Sequence, residues 1–306
     1  MSTITVAVDF MADEPQSVIE GANTASCFSS KEEEVIVVGP KAIEPQLRYG
    51  MKLEAAEEWI GMGEGIIDAI RTKPGASINV ALRMLRGSRA QALVSAGNSA
   101  VTVAAAITTL GMLADIERPA LAVILPANER KKVVLTDVGA IVDAKPRWIA
   151  QWAILASGYA SVSLGKKNPT VGLLNIGTEE GKGNQLTKAC FPLLKDCRRI
   201  HFVGSVENVF SGQADVVVCD GFVGNALLKT LEGGRELLSR GQRREFDYSS
   251  YGGALLLGVN GVVVIAHGRS SPQAIESAIN LAVQTVKKGF LTELQKSSIP
   301  FVGRRR

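Results

Sequence analysis

The sequence predicts an α/β protein built on a largely parallel sheet covered by helices, and three observations predict it. Short β-branched apolar runs recur along the 306 residues, helix-length stretches separate them, and small polar residues and glycines gather directly after the runs.

In chain order, strands are expected at Ile4–Val8, Val35–Val38, Ala92–Ser95, Ala120–Leu125, Val133–Thr136, Val171–Leu174, His201–Val203, Val216–Cys219 and Val262–Ala266. Helices are expected between them at Pro15–Ser26, Ser77–Arg86, Ala100–Leu110, Pro146–Ala156, Leu186–Leu194, Val223–Ser239 and Ser271–Lys287. No internal repeat, low-complexity tract or long linker interrupts the order, so residues 1–306 are expected to form a single functional domain.

Composition narrows the class. At 46% hydrophobic and 21% charged, the chain can bury a large core. Its apolar runs fall well short of the roughly 20 residues a spanning helix needs, and Met1–Asp9 alternates like a strand where a secretory leader would be basic and then apolar. A soluble, cytoplasmic protein is expected. The four cysteines, at 27, 190, 197 and 219, lack Cys-x-x-Cys spacing, so neither disulfides nor structural zinc are expected. A net charge of +4 and only 5% aromatic residues argue against nucleic-acid binding. Basic residues gather at Arg235, Arg240, Arg243 and Arg244 and at Arg304–Arg306. They read as a solvated helix face and a tail, with attraction to an acidic partner or anionic lipid as the functional alternative.

In parallel sheets ligands bind beyond the carboxyl ends of the strands, so the residues there carry the functional reading. They are Asp9, then Ser95-Ala-Gly97-Asn98, Asp137-Val-Gly139, Asn175-Ile-Gly177, Asp220-Gly221-Phe-Val-Gly224-Asn225 and His267-Gly268. Glycine lets a ligand approach the backbone, and a following helix presents free N–H groups to an anion. Repetition of this pattern points to a phosphate or carboxylate site. The segment Gly177-Thr-Glu-Glu-Gly181-Lys182-Gly183-Asn184 is not a P-loop: three residues separate its first glycines, and Gly183 replaces the magnesium-binding hydroxyl. Gly61-Met-Gly63-Glu-Gly65 likewise lacks dinucleotide spacing, which removes a nicotinamide cofactor. Lys182 remains, an ammonium among glycines at an expected helix start, suited to holding phosphate.

The strings VSAGNSA (Val94–Ala100), GMLADIERPALA (Gly111–Ala122), VGLLNIGTEEGKGN (Val171–Asn184), DVVVCDGFVGNALLK (Asp215–Lys229) and DYSSYGGALLLG (Asp247–Gly258) together resemble the bacterial phosphate acyltransferase (PlsX) family, acyl-acyl-carrier-protein:phosphate acyltransferases. The resemblance implies a three-layer α/β/α Rossmann-like fold related to phosphate acetyltransferases and isocitrate dehydrogenases. It also implies a homodimer without cofactor or metal, acyl carrier protein and inorganic phosphate as substrates, and delivery of acyl-phosphate to a membrane glycerol-3-phosphate acyltransferase, with peripheral contact at the inner membrane face.

Phosphate is itself the nucleophile in that reaction, so no Ser-His-Asp triad is required. The residues expected to take part are Lys182 on phosphate or the oxyanion, Asn184 and Asn225 as neutral donors, and Asp220 orienting the lysine or taking a proton, with a helix-capping role as its structural alternative. His267 is expected to line the site or to be structural, and His201 to be structural. Asp9, Ser95, Gly97, Asn98, Asp137, Gly177, Gly183, Gly221 and Gly224 complete the expected phosphate-binding set.

The chain departs from the family pattern in four places. It reads Asp9-Phe-Met-Ala12-Asp13-Glu-Pro15 where the family has a Met-Gly-Gly-Asp turn. It has Gln185 for Glu, Ser205 for Asn and Ala100 for Gly. Between Glu232 and Asp247 it is also shorter than the family's helical projection. These departures keep two alternatives open: a non-catalytic paralogue binding acyl carrier protein, and a coenzyme A-dependent phosphate acetyl- or butyryltransferase.

Overall fold

Runs of Val, Ile, Leu and Ala form the strands, and amphipathic stretches between them form helices, in a computed structural model that describes residues 3–25, 32–61, 63–128, 131–179, 181–237 and 252–296. In chain order the elements are β1 (Ile4–Ala12), α1 (Pro15–Thr24), β2 (Glu33–Gly39), β3 (Lys52–Ala55), α2 (Ile66–Thr72), α3 (Ser77–Arg86), β4 (Ala92–Ala96), α4 (Ser99–Leu110), β5 (Ala120–Pro126) and β6 (Lys132–Thr136). They continue with α5 (Pro146–Leu164), β7 (Thr170–Leu174), α6 (Gln185–Lys195), β8 (His201–Val206), β9 (Val216–Val218), α7 (Gly221–Leu237), β10 (Ala254–Leu257), β11 (Val262–Ile265), α8 (Pro272–Lys287) and α9 (Phe290–Lys296). The chain divides into one unit of residues 1–111 with 249–291 and another of residues 112–248 with 292–306.

In the first unit the strand order is β3-β2-β1-β4-β11-β10, all parallel except β10, which runs antiparallel to β11. Val94 of β4 sits in register between Val8 and Val264, and all three are buried. Helices α1 and α8 pack together, as do α3 and α4. Helix α3 shows why: Ile78, Ala81, Leu82 and Leu85 recur at helical spacing and are buried. Gly21 of α1 lies so close to α8 that a Cβ there would overlap Ile275. At the β3 edge, Arg89 holds Glu54 with two hydrogen bonds, of 3.1 and 2.6 Å. The pair is solvent-exposed, so Arg89→Ala is expected to cost less than about 1 kcal/mol in urea denaturation.

In the second unit the order is β5-β6-β9-β7-β8, parallel except for β5, which is antiparallel to β6. Helix α5 buries Trp148 and Trp152. Their indole nitrogens donate to the Glu117 carboxylate and the Arg118 carbonyl, each at 3.0 Å. The helix runs eight residues past the expected Ala156 and ends at Gly165, a left-handed cap. Gly158 does not stop it, because that glycine gives Leu294 room to pack: a Cβ at Gly158 would stand 3.0 Å from the Leu294 side chain.

All nine expected strands form, and so do the seven expected helices wherever they fall on described residues. Strands β3 and β10 and the short helices α2 and α9 are additions. Strand β1 continues to Ala12 with a register shift against β4 between Asp9 and Ala12. The Asp9–Ala12 stretch is therefore an irregular strand end. Ser26, the 238–251 segment with Arg240, Arg243 and Arg244, the Arg235 side chain, Cys27 and Arg304–Arg306 lie outside the described residues. Cys190, Cys197 and Cys219 are buried and free. Among the described residues no helix is long and apolar enough to cross a membrane.

Candidate active site

Both units place their polar residues where strand connections diverge. In the first, β1 leads outward to β2 and β3 while β4 lies on its other side, so the β1/β4 boundary is a topological switch point. Asp9 ends the regular part of β1, and Ser95, Gly97 and Asn98 follow in and after β4. The Asp9 carboxylate accepts from Ser95 Oγ at 2.8 Å and from the Met11 amide at 3.3 Å. Ser95 also lies 3.3 Å from Thr102 Oγ1 and receives the Gly97 amide at 3.2 Å. Asp9, Ser95 and Thr102 are all buried. The Ser77 hydroxyl, also buried, makes no well-formed hydrogen bond of its own, although it approaches the same carboxylate.

Burial pushes the Asp9 carboxyl above the ordinary carboxylate range, against the opposing pull of its hydrogen bonds. The folded state therefore holds its proton more tightly than the unfolded state. That contribution to stability is present at low pH and lost as pH rises through the raised value. Asp9→Asn removes this loss, so urea denaturation is expected to show the variant gaining on the wild type as the pH rises from 4 to 8.

Asn98 is the N-cap of α4, accepting from the amides of Ala100 at 2.9 Å and Val101 at 3.3 Å. Ala100 is thus an ordinary first-turn residue with its amide engaged. His267, exposed after β11, accepts the Arg269 amide on Nδ1 at 3.1 Å, which leaves the proton of a neutral ring on Nε2.

In the second unit the switch lies between β7 and β9: α6 leaves β7 toward β8, whereas α7 leaves β9 and packs near β6. Gly177–Asn184 follows β7 and Asp220–Asn225 follows β9. Gly181 and Gly183 have φ of +93° and +104°, a conformation costly for other residues. At Gly183 a Cβ would also collide with Thr187 Oγ1 and Asn175 Oδ1. Asn175 braces the loop from beneath, its amide donating to the Lys182 carbonyl and to Ser205 Oγ, both at 3.1 Å. Lys182 is exposed, and its ammonium donates to Glu179 at 2.8 Å. That contact, with a smaller contribution from Glu207, raises the lysine above its usual range and keeps it fully charged. Gly177 lies directly under the pair, since a Cβ there would stand 3.1 Å from the ammonium nitrogen. Asn184 is the N-cap of α6, its side chain accepting from the Thr187 amide at 2.9 Å, and Gln185 is exposed as the first helical residue.

Four of the expected residues make structural contacts. Asp220 accepts the Val223 amide at 3.0 Å as a cap on α7, which is its structural alternative, while the Lys182 ammonium is held by Glu179. Asp137 is fully buried. Its carboxylate accepts from the backbone amides of Leu121 at 2.8 Å, Gly139 at 3.1 Å, Ala140 at 3.0 Å and Ile141 at 2.8 Å, which shapes the loop after β6. Burial raises its pKa, and these four bonds oppose the rise. Gly221 and Gly224 serve packing: a Cβ at Gly221 would stand 2.6 Å from that carboxylate, and one at Gly224 would overlap the Asp137 carbonyl. Asn225, exposed, packs over Gly139.

Sequence reasoning did not single out Glu179, Asn175 and Ser205 as the supports of Lys182. The acid three residues before the lysine was the available signal. Among the described residues, no group of three or more His, Cys, Asp or Glu gathers as a metal site.

The fold is a Rossmann-like α/β/α fold, similar to that of solved phosphotransacylases. A branched-chain phosphotransacylase from Enterococcus faecalis V583 superimposes with a TM-score of 0.65 over 93% of this chain and 99% of its own, at 16% identity. In sequence, the family model described as "Fatty acid synthesis protein" matches residues 4–241 and 237–293. A phosphate acyltransferase from Synechococcus sp. (strain JA-3-3Ab) is 43% identical, covering 95% of this chain and 88% of that relative. One from Heliobacterium modesticaldum is 41% identical, covering 95% and 96%. The chain belongs to the phosphate acyltransferase family and is an enzyme of the acyltransferase class.

Proposed function

We propose that this enzyme transfers a fatty acyl group from acyl carrier protein to inorganic phosphate, forming an acyl-phosphate that feeds phosphatidic acid and phospholipid synthesis. The observation that carries the reading is the Lys182 ammonium on a glycine loop at the β7/β9 switch point, braced by Asn175. A phosphate oxygen attacks the thioester carbonyl, the oxyanion collapses, and the carrier thiolate leaves. The thiolate is a good leaving group near neutral pH, so a strong general acid is not required.

The enzyme's task is then to position two anions and stabilise a third. Lys182 takes the phosphate or the oxyanion once Glu179 yields it, with the Asn225 amide as a neutral donor. Asp9 and Ser95 give the first unit a polar strand end with the same placement rule. The two units act as one protein, working as a cytoplasmic homodimer that passes its product to a glycerol-3-phosphate acyltransferase at the membrane.

The test is mass-spectrometric detection of acyl-phosphate from acyl-acyl carrier protein and phosphate, with acyl-coenzyme A in parallel. Product from the carrier protein supports the proposal. Product from acyl-coenzyme A alone points to a phosphate acetyl- or butyryltransferase, and carrier binding without any product to a non-catalytic paralogue.

A further inference from the structure

Among the described residues seven large apolar side chains stand exposed, and three of them lie on one edge of the second unit. Val142 follows β6, Phe222 follows β9 and Ile176 follows β7, with exposures of 58%, 66% and 80%. Their strands are successive neighbours in the parallel order β6-β9-β7. At ordinary strand spacing the three strand ends that carry them span about 10 Å. The Gly221 amide donates to the Ile141 carbonyl at 3.0 Å, which fixes the residues before Phe222 and Val142 side by side. Phe222 sits in the first turn of α7, a place that favours polar and acidic residues, and that turn holds no acid.

The strip has a charged end. Ile176 directly precedes Gly177 in the loop that carries Lys182, so apolar surface and ammonium share one segment of nine residues, 174–182. Three large apolar side chains on one strand edge, one of them in the loop that carries Lys182, mark a candidate binding surface. The chemistry that matches is an amphiphile with a phosphate-like head and a hydrocarbon tail. We propose that Val142, Phe222 and Ile176 form the acyl-chain subsite, holding the methylenes next to the reacting carbonyl and setting the chain-length preference. This rests on the acyltransferase reading above and names the residues that would select its substrate.

The test uses stable head-and-tail probes, dodecylphosphonate and propylphosphonate, titrated into the full-length protein by calorimetry below the micellar range. The wild type is expected to prefer the dodecyl probe. Phe222→Ala or Ile176→Ala is expected to reduce the dodecyl-over-propyl preference about tenfold. Val203→Ala, which alters an exposed apolar residue on β8, should leave that preference unchanged. All three changes are at exposed positions, so folding is expected to survive, and circular dichroism checks it.

Equal affinity for the two probes overturns the subsite, and so does a preference that both Ala variants retain. If the variants alter the sedimentation coefficient while the preference holds, the strip is a contact between copies and the proposal also fails. A chain preference that the variants lower, in a protein that makes no acyl-phosphate, sinks the proposed acyl-phosphate reaction and leaves the strip standing as an alkyl-chain subsite.

Discussion

Lys182→Ala is expected to lower kcat/KM for acyl-phosphate formation by roughly a hundred- to a thousandfold, the usual effect of removing one oxyanion or phosphate donor. The melting temperature should not move, because Lys182 is exposed and its pair with Glu179 is a surface contact. Steady-state kinetics at saturating acyl-acyl carrier protein, with phosphate varied, separates the two roles. A loss in kcat with KM for phosphate retained places the ammonium on the oxyanion, whereas a rise in KM alone places it on the bound phosphate. Unchanged kinetics would remove Lys182 from the site. Glu179→Gln provides the complementary reading: it frees the lysine, so the KM for phosphate should fall severalfold.

Asp137→Ala is the change expected to damage the fold most, by about 3–5 kcal/mol in denaturant unfolding. It deletes the acceptor of four backbone amides, including that of Leu121 on the neighbouring strand β5. Asp137→Asn keeps an acceptor oxygen and removes the charge that burial disfavours, so it should cost less. The difference carries a pH signature of known sign. The raised pKa of Asp137 means the folded protein holds the proton more tightly, and the wild type loses that contribution as pH rises through the raised value. The deficit of the Asn variant should therefore shrink between pH 4 and pH 8.

The strands legible in the sequence were those with β-branched apolar runs, such as Val216–Val218 and Val262–Ile265. Strand β3, Lys-Leu-Glu-Ala, lies at the edge of its sheet with no fully buried residue, so no apolar alternation marks it. Strand β10, Ala-Leu-Leu-Leu, is wholly buried, and its composition suits a helix as well as a strand. Helices α2 and α9, seven residues each, are too short for a periodic signal.

The strand-end rule put Lys182, Asp220, Asp9 and Asp137 at the right edges. It could not distinguish carboxylates that face solvent from those that organise backbone. Asp137 looks like a ligand in sequence because its partner Leu121 is sixteen residues away and on another strand. That relation exists only once β5 and β6 have paired.

The division of the chain also dictates the order in which a ribosome can complete the two units. Residues 112–248 lie between the two segments of the first unit, 1–111 and 249–291. Strand β4 pairs with β1 on one side and with β11 on the other, and β11 begins only at Val262. At the usual elongation rate of roughly 5–20 residues per second, the second edge of β4 waits on the order of ten to thirty seconds for its partner. For that interval the nascent chain carries a half-built hydrophobic sheet, and the second unit also waits, because its last segment, 292–306, is made after the first unit's. A holding chaperone that shields Ala92–Ala96 during translation would therefore raise the yield of this protein more than one that acts after release.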